Sequence, residues 1–165
     1  MYESDAEIKV DRMRFTKNTA SSRLCYLGIL LDVFYFVNIY SSDVGSWYYN
    51  IIVGGSIVYN LLFMLFAFLA SEGVKNYKSS YSWLLYAIGV LQLVRIFVIP
   101  FSAMRATVSI AGAAVAAMST MQGVRAIAWL VLSCACMLWA GFINQRKCIA
   151  LARHSARMAE AKGGV

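Results

Sequence analysis

Residues 47–70 read WYYNIIVGGSIVYNLLFMLFAFLA, a run of 24 residues without a charged side chain. At about 1.5 Å of rise per helical residue this run covers about 36 Å, more than the roughly 30 Å of a bilayer's hydrocarbon core. A helix of a soluble protein needs a polar stripe for its solvated side, and this run has none. It lies within a longer stretch, residues 24–71, that has no basic residue and only two acidic ones, Asp32 and Asp43. The sequence therefore predicts a protein of the membrane.

The composition agrees with this interpretation and excludes other classes. The 165 residues are 61% hydrophobic, with a mean hydropathy of +0.64 and a single proline. The net charge of +7 comes mainly from the two tails and is not interleaved with aromatic residues, so we expect no nucleic-acid partner. Four scattered cysteines are too few for a disulfide framework, and we expect free thiols. The expected partner is the lipid bilayer.

The apolar runs predict an all-α polytopic membrane protein with a bundle of four transmembrane helices. The spans are expected at about 24–40, 47–70, 83–100 and 126–144. The chain is thus divided into three parts. These are a cytoplasmic N-terminal segment at residues 1–23, a transmembrane domain at 24–144 and a basic cytoplasmic tail at 145–165.

The distribution of basic residues predicts the orientation of the chain. The N-terminal segment, the loop after the second span and the tail together hold twelve of the 15 lysines and arginines, whereas the loop 41–46 holds none. Cytoplasmic loops carry the excess of positive charge, so both termini are expected in the cytoplasm, in a plasma membrane or a bacterial inner membrane. We expect the basic tail to be attracted to anionic lipid, in preference to forming a docking helix for a partner.

Residues 106–122 are uncharged but consist mostly of small side chains. A fifth span here would place the basic tail outside, against the charge rule, so an additional interfacial or re-entrant helix between the third and fourth spans is the favoured interpretation. Small residues at a spacing of four let helix backbones approach closely, although an alanine-rich segment also produces such spacings by chance. The residues that form this pattern are Ser109, Gly112, Ala113, Ala116 and Ala117.

Two opposite charges fall within the predicted spans at similar depths. Asp32 lies about 12 Å and Arg95 about 18 Å from the inner end of their respective helices. An isolated charge near the middle of a bilayer costs at least about 2.5–3.5 kcal/mol, so these two side chains are expected to form an intramembrane charge pair. The pair either fixes helix register or takes part in transport, with Asp32 titrating or binding a cation.

Other polar and small residues of the spans are expected to serve helix packing. Gly54 and Gly55 form a small-residue notch in the second span, for which close packing is favoured over a kink or a substrate path. Four amides are expected to hydrogen-bond between helices, and these are Asn38, Asn60, Gln92 and Asn144.

Arg105 and Arg125 make the outer side of the third and fourth spans positive. They are possible contacts for an anion. Arginines that extend from the ends of the spans to the headgroups explain the pattern equally well.

Nothing in the sequence predicts catalysis, a metal site or a cofactor. The one histidine, His154, lies in the basic tail, and the sequence has no G-x-S-x-G, H-E-x-x-H or phosphate-binding glycine loop. We therefore expect a non-enzymatic subunit or scaffold of a membrane complex that packs against a second copy or a larger membrane protein. The alternative is an oligomeric ion- or proton-coupled transporter or channel that uses Asp32.

Overall fold

The structure is a computed structural model and describes residues 16–40, 51–105, 107–110, 113–116 and 118–163. It has four long helices, α1, α2, α3 and α5, and one short helix, α4. Their bounds are Thr19–Tyr40 for α1, Ile51–Lys75 for α2, Ser80–Val98 for α3, Pro100–Arg105 for α4 and Thr120–Gly163 for α5. The four long helices are apolar and long enough to cross a membrane, with α3 and α4 counting as one stretch. The prediction of four such helices is confirmed.

Local sequence signals set the ends of these helices. Asn18 caps α1, its side-chain Oδ1 accepting a hydrogen bond from the Ser21 backbone N–H at 3.5 Å. α5 begins with a capping box, in which the Ser119 hydroxyl accepts from the Gln122 N–H and the Gln122 side chain accepts from the Ser119 N–H, both at 3.3 Å. Pro100 is the first residue of α4, a position whose backbone N–H has no partner within the helix, so the N–H that proline lacks is not needed there. These three helices thus start at residues suited to helix N-termini.

The end of α2 is a Schellman motif with an unusual residue in its left-handed position. The Lys78 N–H donates to the Gly73 carbonyl and the Tyr77 N–H to the Val74 carbonyl, both at 3.2 Å. Tyr77 has φ of 56°, a conformation that glycine usually supplies. The ring of Tyr81 lies against Gly73, where a Cβ atom would be 2.3 Å from the ring. Only glycine allows this approach of α3 to the end of α2.

The long helices form a ring in which each packs against two neighbours. α2 packs against α1 and α3, α5 packs against the same two, and α4 rests on α3 and α5. α1 and α3 therefore lie across the bundle from each other. The apolar core has two parts, one in the half of the bundle near the start of α1 and the other near its end. Members of the first include Cys25, Phe63, Leu85 and Met137, and members of the second include Tyr35, Ile99, Met118 and Leu130.

Polar side chains are concentrated inside the bundle and large apolar side chains outside. Twelve polar or charged residues are buried, whereas leucines, valines and phenylalanines on all four long helices are exposed. Water would penalise such a surface, while a lipid environment matches it and requires buried polar groups to be hydrogen-bonded internally. The buried polar residues are Asn18, Ser21, Ser22, Asp32, Ser56, Asn60, Ser71, Ser82, Gln92, Arg95, Ser133 and Asn144.

The segment between α4 and α5 differs from the prediction. Two strands, β1 at Thr107–Ile110 and β2 at Ala113–Ala116, pair antiparallel with Thr107 opposite Ala116 and Ile110 opposite Ala113. The prediction of a helix is therefore wrong for these residues. β-Branched residues, including Val108 and Val115, favour strands.

This hairpin also removes the predicted helical packing face. Ser109 lies in β1 and Ala113 and Ala116 lie in β2, so their four-residue spacing no longer places them on one side of a helix. Gly112 and Ala117, which complete the predicted pattern, lie outside the described residues. The same holds for Trp47–Asn50 at the start of the predicted second span and for the first 15 residues of the chain.

Candidate functional site

The two charges predicted to pair are in contact at the centre of the bundle. Arg95 Nη1 on α3 donates to Asp32 Oδ1 on α1 at 2.9 Å. Their side chains are 4% and 1% exposed, so the pair is sealed from the surroundings. Because α1 and α3 face each other across the ring, this ion pair joins two helices that share few other contacts.

Amide side chains complete the coordination of both charges. Gln92, one helical turn before Arg95, donates from Nε2 to the same Asp32 Oδ1 at 3.0 Å. Asn60 on α2 accepts from Arg95 Nη2 at 2.5 Å and is itself oriented by a bond from its Nδ2 to the Ser56 carbonyl at 2.9 Å. The network thus connects α1, α2 and α3. The predicted role of Asn60 and Gln92 in bonding between helices agrees with these contacts.

Two tyrosine rings enclose the guanidinium group. Arg95 Cζ lies 4.2 Å from the ring centre of Tyr35 on α1 and 4.9 Å from that of Tyr59 on α2. Both distances are within the range of cation–π attraction, which strengthens where the cation is removed from water. The sequence analysis missed Tyr35 and Tyr59. The position of Tyr35, three residues after Asp32, is an available signal, since this spacing places two side chains on one face of a helix. Tyr59 carries no such signal, because it directly precedes Asn60 and adjacent helical residues do not face each other.

The arrangement is electrically neutral yet leaves some hydrogen-bonding capacity unused. Burying two charges is costly unless good geometry and additional hydrogen bonds offset the loss of solvation, and Gln92 and Asn60 supply such bonds. Among the described residues, Gln92 Oε1, Arg95 Nε and the Tyr59 hydroxyl are buried without a hydrogen-bond partner. The network can therefore hold three helices in register, and it retains donors for a further group.

A cavity of about 300 Å³ lies beside this network, between α2 and α3. Its walls are almost entirely apolar, and Arg95 and Tyr59 belong to them. A second cavity of about 190 Å³ shares Tyr59 and Leu91 with the first and continues along the same pair of helices. We refer to the first as the α2–α3 cavity, whose lining residues are Gly55, Ser56, Tyr59, Leu91, Val94, Arg95, Val98 and Ile99.

The two glycines predicted to mediate close packing do not contact another helix in the described part of the chain. Gly54 and Gly55 are exposed, and a Cβ atom at either position would meet nothing within 4 Å. Close approach occurs instead at other glycines, such as Gly141, whose Cβ would lie 2.9 Å from the Tyr86 ring and 3.2 Å from the Ser82 carbonyl. The notch on α2 is thus open on the outside of the bundle.

The predicted anion contacts lie apart from the central network. Arg105, at the end of α4, is exposed and lies over the Phe101 ring at 4.2 Å. Arg125 is exposed near the start of α5. Their role as anion contacts stays a prediction.

Four cysteines, Cys25, Cys134, Cys136 and Cys148, are free thiols. Within the described ranges, no group of three or more histidine, cysteine or acidic side chains could hold a metal ion.

A second polar cluster joins the bundle at the end where α1 begins. Asn18 donates from its backbone N–H to the Lys75 carbonyl at 3.0 Å and from Nδ2 to Asn144 Oδ1 at 3.1 Å, and it accepts from Lys147 Nζ at 3.0 Å. Asn144 donates to the Ser82 hydroxyl at 2.9 Å. The sequence analysis identified Asn144 but missed Asn18, for which an asparagine preceding an apolar run is the signal of a helix cap. All four long helices meet here.

Comparison with known proteins adds no family assignment to this geometry. No protein-family model, no curated protein and no solved structure matches the chain.

Proposed function

We propose that this chain is a non-enzymatic subunit or scaffold of a membrane complex, held in one shape by its buried polar network and associating through helix packing. The observation that carries the proposal is the enclosure of the Asp32–Arg95 pair, with side chains 1% and 4% exposed and bonds from three helices. A group that titrates or exchanges ions during transport needs a route for water or ions. A pair closed in by Gln92, Asn60 and two aromatic rings suits the fixing of helix register instead.

The open notch at Gly54 and Gly55 supports association with another helix. No part of the described chain covers these two residues. In membranes, helices associate where small residues let backbones approach closely, since lipid provides no hydrophobic drive for contact between larger side chains. The partner is either a second copy of this chain or a larger membrane protein.

The placement that accompanies this function has both termini in the cytoplasm of a plasma membrane or a bacterial inner membrane, with the lipid bilayer around the exposed apolar faces. Cysteine labelling tests the orientation after the four native cysteines are replaced by serine. Ser155→Cys, on an exposed position of α5, should react with a membrane-impermeant reagent only after the membrane is opened, and Ser109→Cys should react from outside. Labelling of Ser155→Cys in sealed cells would reverse the orientation.

The association is tested by filling the notch. Gly54→Leu places a large side chain where a partner backbone would lie, so the complex extracted in mild detergent should fall in mass, as measured by native mass spectrometry. Ala128→Leu enlarges another exposed small residue, on α5, and is the matched control. A complex of unchanged mass with Gly54→Leu, or a chain that is a monomer from the start, would refute packing at this notch.

Transport is the second candidate, favoured by the cavity beside Arg95 and by the unpartnered Gln92 Oε1. Four helices leave little room for a private pathway, so this function would require an oligomer. Reconstituted liposomes distinguish the two candidates. Ion or proton flux that is present with the natural chain and absent with Asp32→Asn would favour transport, whereas flux that is absent, or that survives the substitution, would eliminate a transport role for Asp32.

A further inference from the structure

The α2–α3 cavity combines an apolar body with hydrogen-bond donors that are not in use. Of its eight lining residues, one is glycine, one is serine and four are aliphatic. The other two are Tyr59 and Arg95. Arg95 is 4% exposed and its Nε has no hydrogen-bond partner among the described residues. The hydroxyl of Tyr59 is likewise buried and unpartnered within the described part of the chain. An unpaired polar group in such surroundings costs about 1–3 kcal/mol, which a ligand that pairs with it would recover.

The chemistry of the two groups indicates what they would bind. An arginine N–H only donates, and a tyrosine hydroxyl can donate, so both are satisfied by one acceptor with two lone pairs. Arg95 Cζ lies 4.9 Å from the centre of the Tyr59 ring, so the two side chains that carry these donors are neighbours in the cavity wall. A carbonyl oxygen meets these requirements.

Charge excludes an anionic ligand at this position. Arg95 is already neutralised by Asp32, at 2.9 Å from Nη1 to Oδ1. A carboxylate or phosphate would therefore add an uncompensated negative charge to a nearly apolar site, at a cost that hydrogen bonds do not offset. An uncharged ligand avoids this cost.

We propose that the α2–α3 cavity binds an uncharged, lipophilic carbonyl compound, with its carbonyl oxygen accepting hydrogen bonds from Arg95 Nε and the Tyr59 hydroxyl. The volume of about 300 Å³ is at the lower end for small-molecule sites, and the adjoining cavity of about 190 Å³ accommodates an alkyl substituent. This inference concerns one chain and a small ligand, so its test is separate from that of the proposed scaffold function, although Gly55 belongs both to the notch and to the cavity wall.

The ligand would enter from the apolar surface of the bundle. Gly55, Val94 and Val98 are all exposed members of the cavity wall and form its mouth. The two donor atoms are buried and Tyr59 is half-buried, so the proposed binding requires a rotation of the Tyr59 side chain that exposes both donors to the cavity. Entry from the lipid phase fits a lipophilic ligand and excludes a polar metabolite.

Equilibrium binding of tetramethylbenzoquinone to the purified full chain in lipid nanodiscs tests the proposal, with empty nanodiscs as the blank for partitioning into lipid. Tetramethylbenzene, which has the same ring and methyl groups without a carbonyl, is the matched probe. The chain should bind the quinone saturably and at least about tenfold more tightly than the hydrocarbon, since pairing the two donors recovers about 1–3 kcal/mol for each of them.

Four variants locate the binding site. Tyr59→Phe keeps the ring over Arg95 but removes the hydroxyl, and it should weaken quinone binding about fivefold or more without affecting hydrocarbon binding. Arg95→Lys keeps the charge and removes Nε, with the same expected loss. Gly55→Leu fills the mouth of the cavity and should abolish binding, whereas Ala128→Leu, which enlarges an exposed small residue of α5 outside the cavity lining, should leave it unchanged.

Several results would overturn the proposal. These are no saturable binding of the quinone, equal affinity for quinone and hydrocarbon, unchanged affinity in Tyr59→Phe, or equal effects of Ala128→Leu and Gly55→Leu. Helical content measured by circular dichroism accompanies each variant, and Tyr59→Phe, which preserves the packing of the ring, decides the case if Arg95→Lys fails to fold.

Discussion

Removing one member of the central ion pair should destabilise the fold far more than removing both. Arg95→Met leaves the Asp32 carboxylate buried at 1% exposure without a cation, and a buried charge deprived of its partner costs about 3–5 kcal/mol. Asp32→Leu leaves Arg95 in the equivalent position, with a similar cost. In the double variant no unpaired charge remains. The contacts of Arg95 with Asn60 and the two tyrosine rings are lost, and so is the bond from Gln92 to Asp32, a deficit of about 2–3 kcal/mol.

The sum of the two single costs therefore exceeds the cost of the double variant. The difference between them, which is the coupling energy, should be at least about 3 kcal/mol. The free energy of unfolding is measured by steric trapping in bicelles, for the natural chain, the two single variants and the double variant. An exposed ion pair of the same chain, between Glu72 and Lys75, is the control. Lys75 Nζ lies 3.2 Å from Glu72 Oε1, and the side chains of Glu72 and Lys75 are 44% and 33% exposed. Exposed pairs contribute little, so the cycle Glu72→Gln with Lys75→Met should show negligible coupling. If the Asp32–Arg95 coupling is no larger than that of this control pair, the reasoning about a buried structural ion pair is refuted.

Two other substitutions test how the helices pack. Gly73→Ala should destabilise the bundle by about 1–3 kcal/mol, because the new methyl group would lie 2.3 Å from the Tyr81 ring, whereas Gly54→Ala should be neutral or stabilise it by up to about 1 kcal/mol. Equal effects of the two alanines in a thermal unfolding assay would contradict the described approach of Tyr81 to Gly73. Asn144→Leu removes hydrogen bonds to Asn18 and to two groups of α3 and its preceding turn, and should cost about 2–3 kcal/mol at about 0.6–1 kcal/mol for each bond. A loss below 1 kcal/mol, measured in the same assay, would show that the cluster at this end is not a structural anchor.

The number and identity of the long helices followed from the sequence because a hydrocarbon core imposes a length and a composition on anything that crosses it. The same depth argument placed Asp32 beside Arg95, since both positions follow from counting residues along their helices. Helix ends were less accurate. α5 begins at Thr120, six residues before the predicted start, although the Ser119 and Gln122 capping box was present in the sequence.

The small-residue segment was mistaken for a helix because four-residue spacings of alanine, glycine and serine carry little information. The alternation of β-branched residues such as Val108 and Ile110 was the better signal, and the observed pairing of Ile110 with Ala113 gives a hairpin. The open position of Gly54 and Gly55 could not be derived from sequence at all. A small side chain permits a close neighbour, but whether the neighbour belongs to the same chain depends on how the helices are arranged around the ring.

The length of α5 changes the expected behaviour of the basic tail. The 19 residues that follow Asn144, up to Gly163, continue as one unbroken helix. If the membrane boundary lies at Asn144, as the sequence predicts, this helix can reach about 28 Å from the surface. Arg157 then stands about 20 Å away, whereas the attraction of anionic lipid decays over a Debye length of about 8 Å. A stiff arm of this kind presents its charge to the aqueous phase, at a distance that only a soluble molecule or a neighbouring subunit of comparable height can contact.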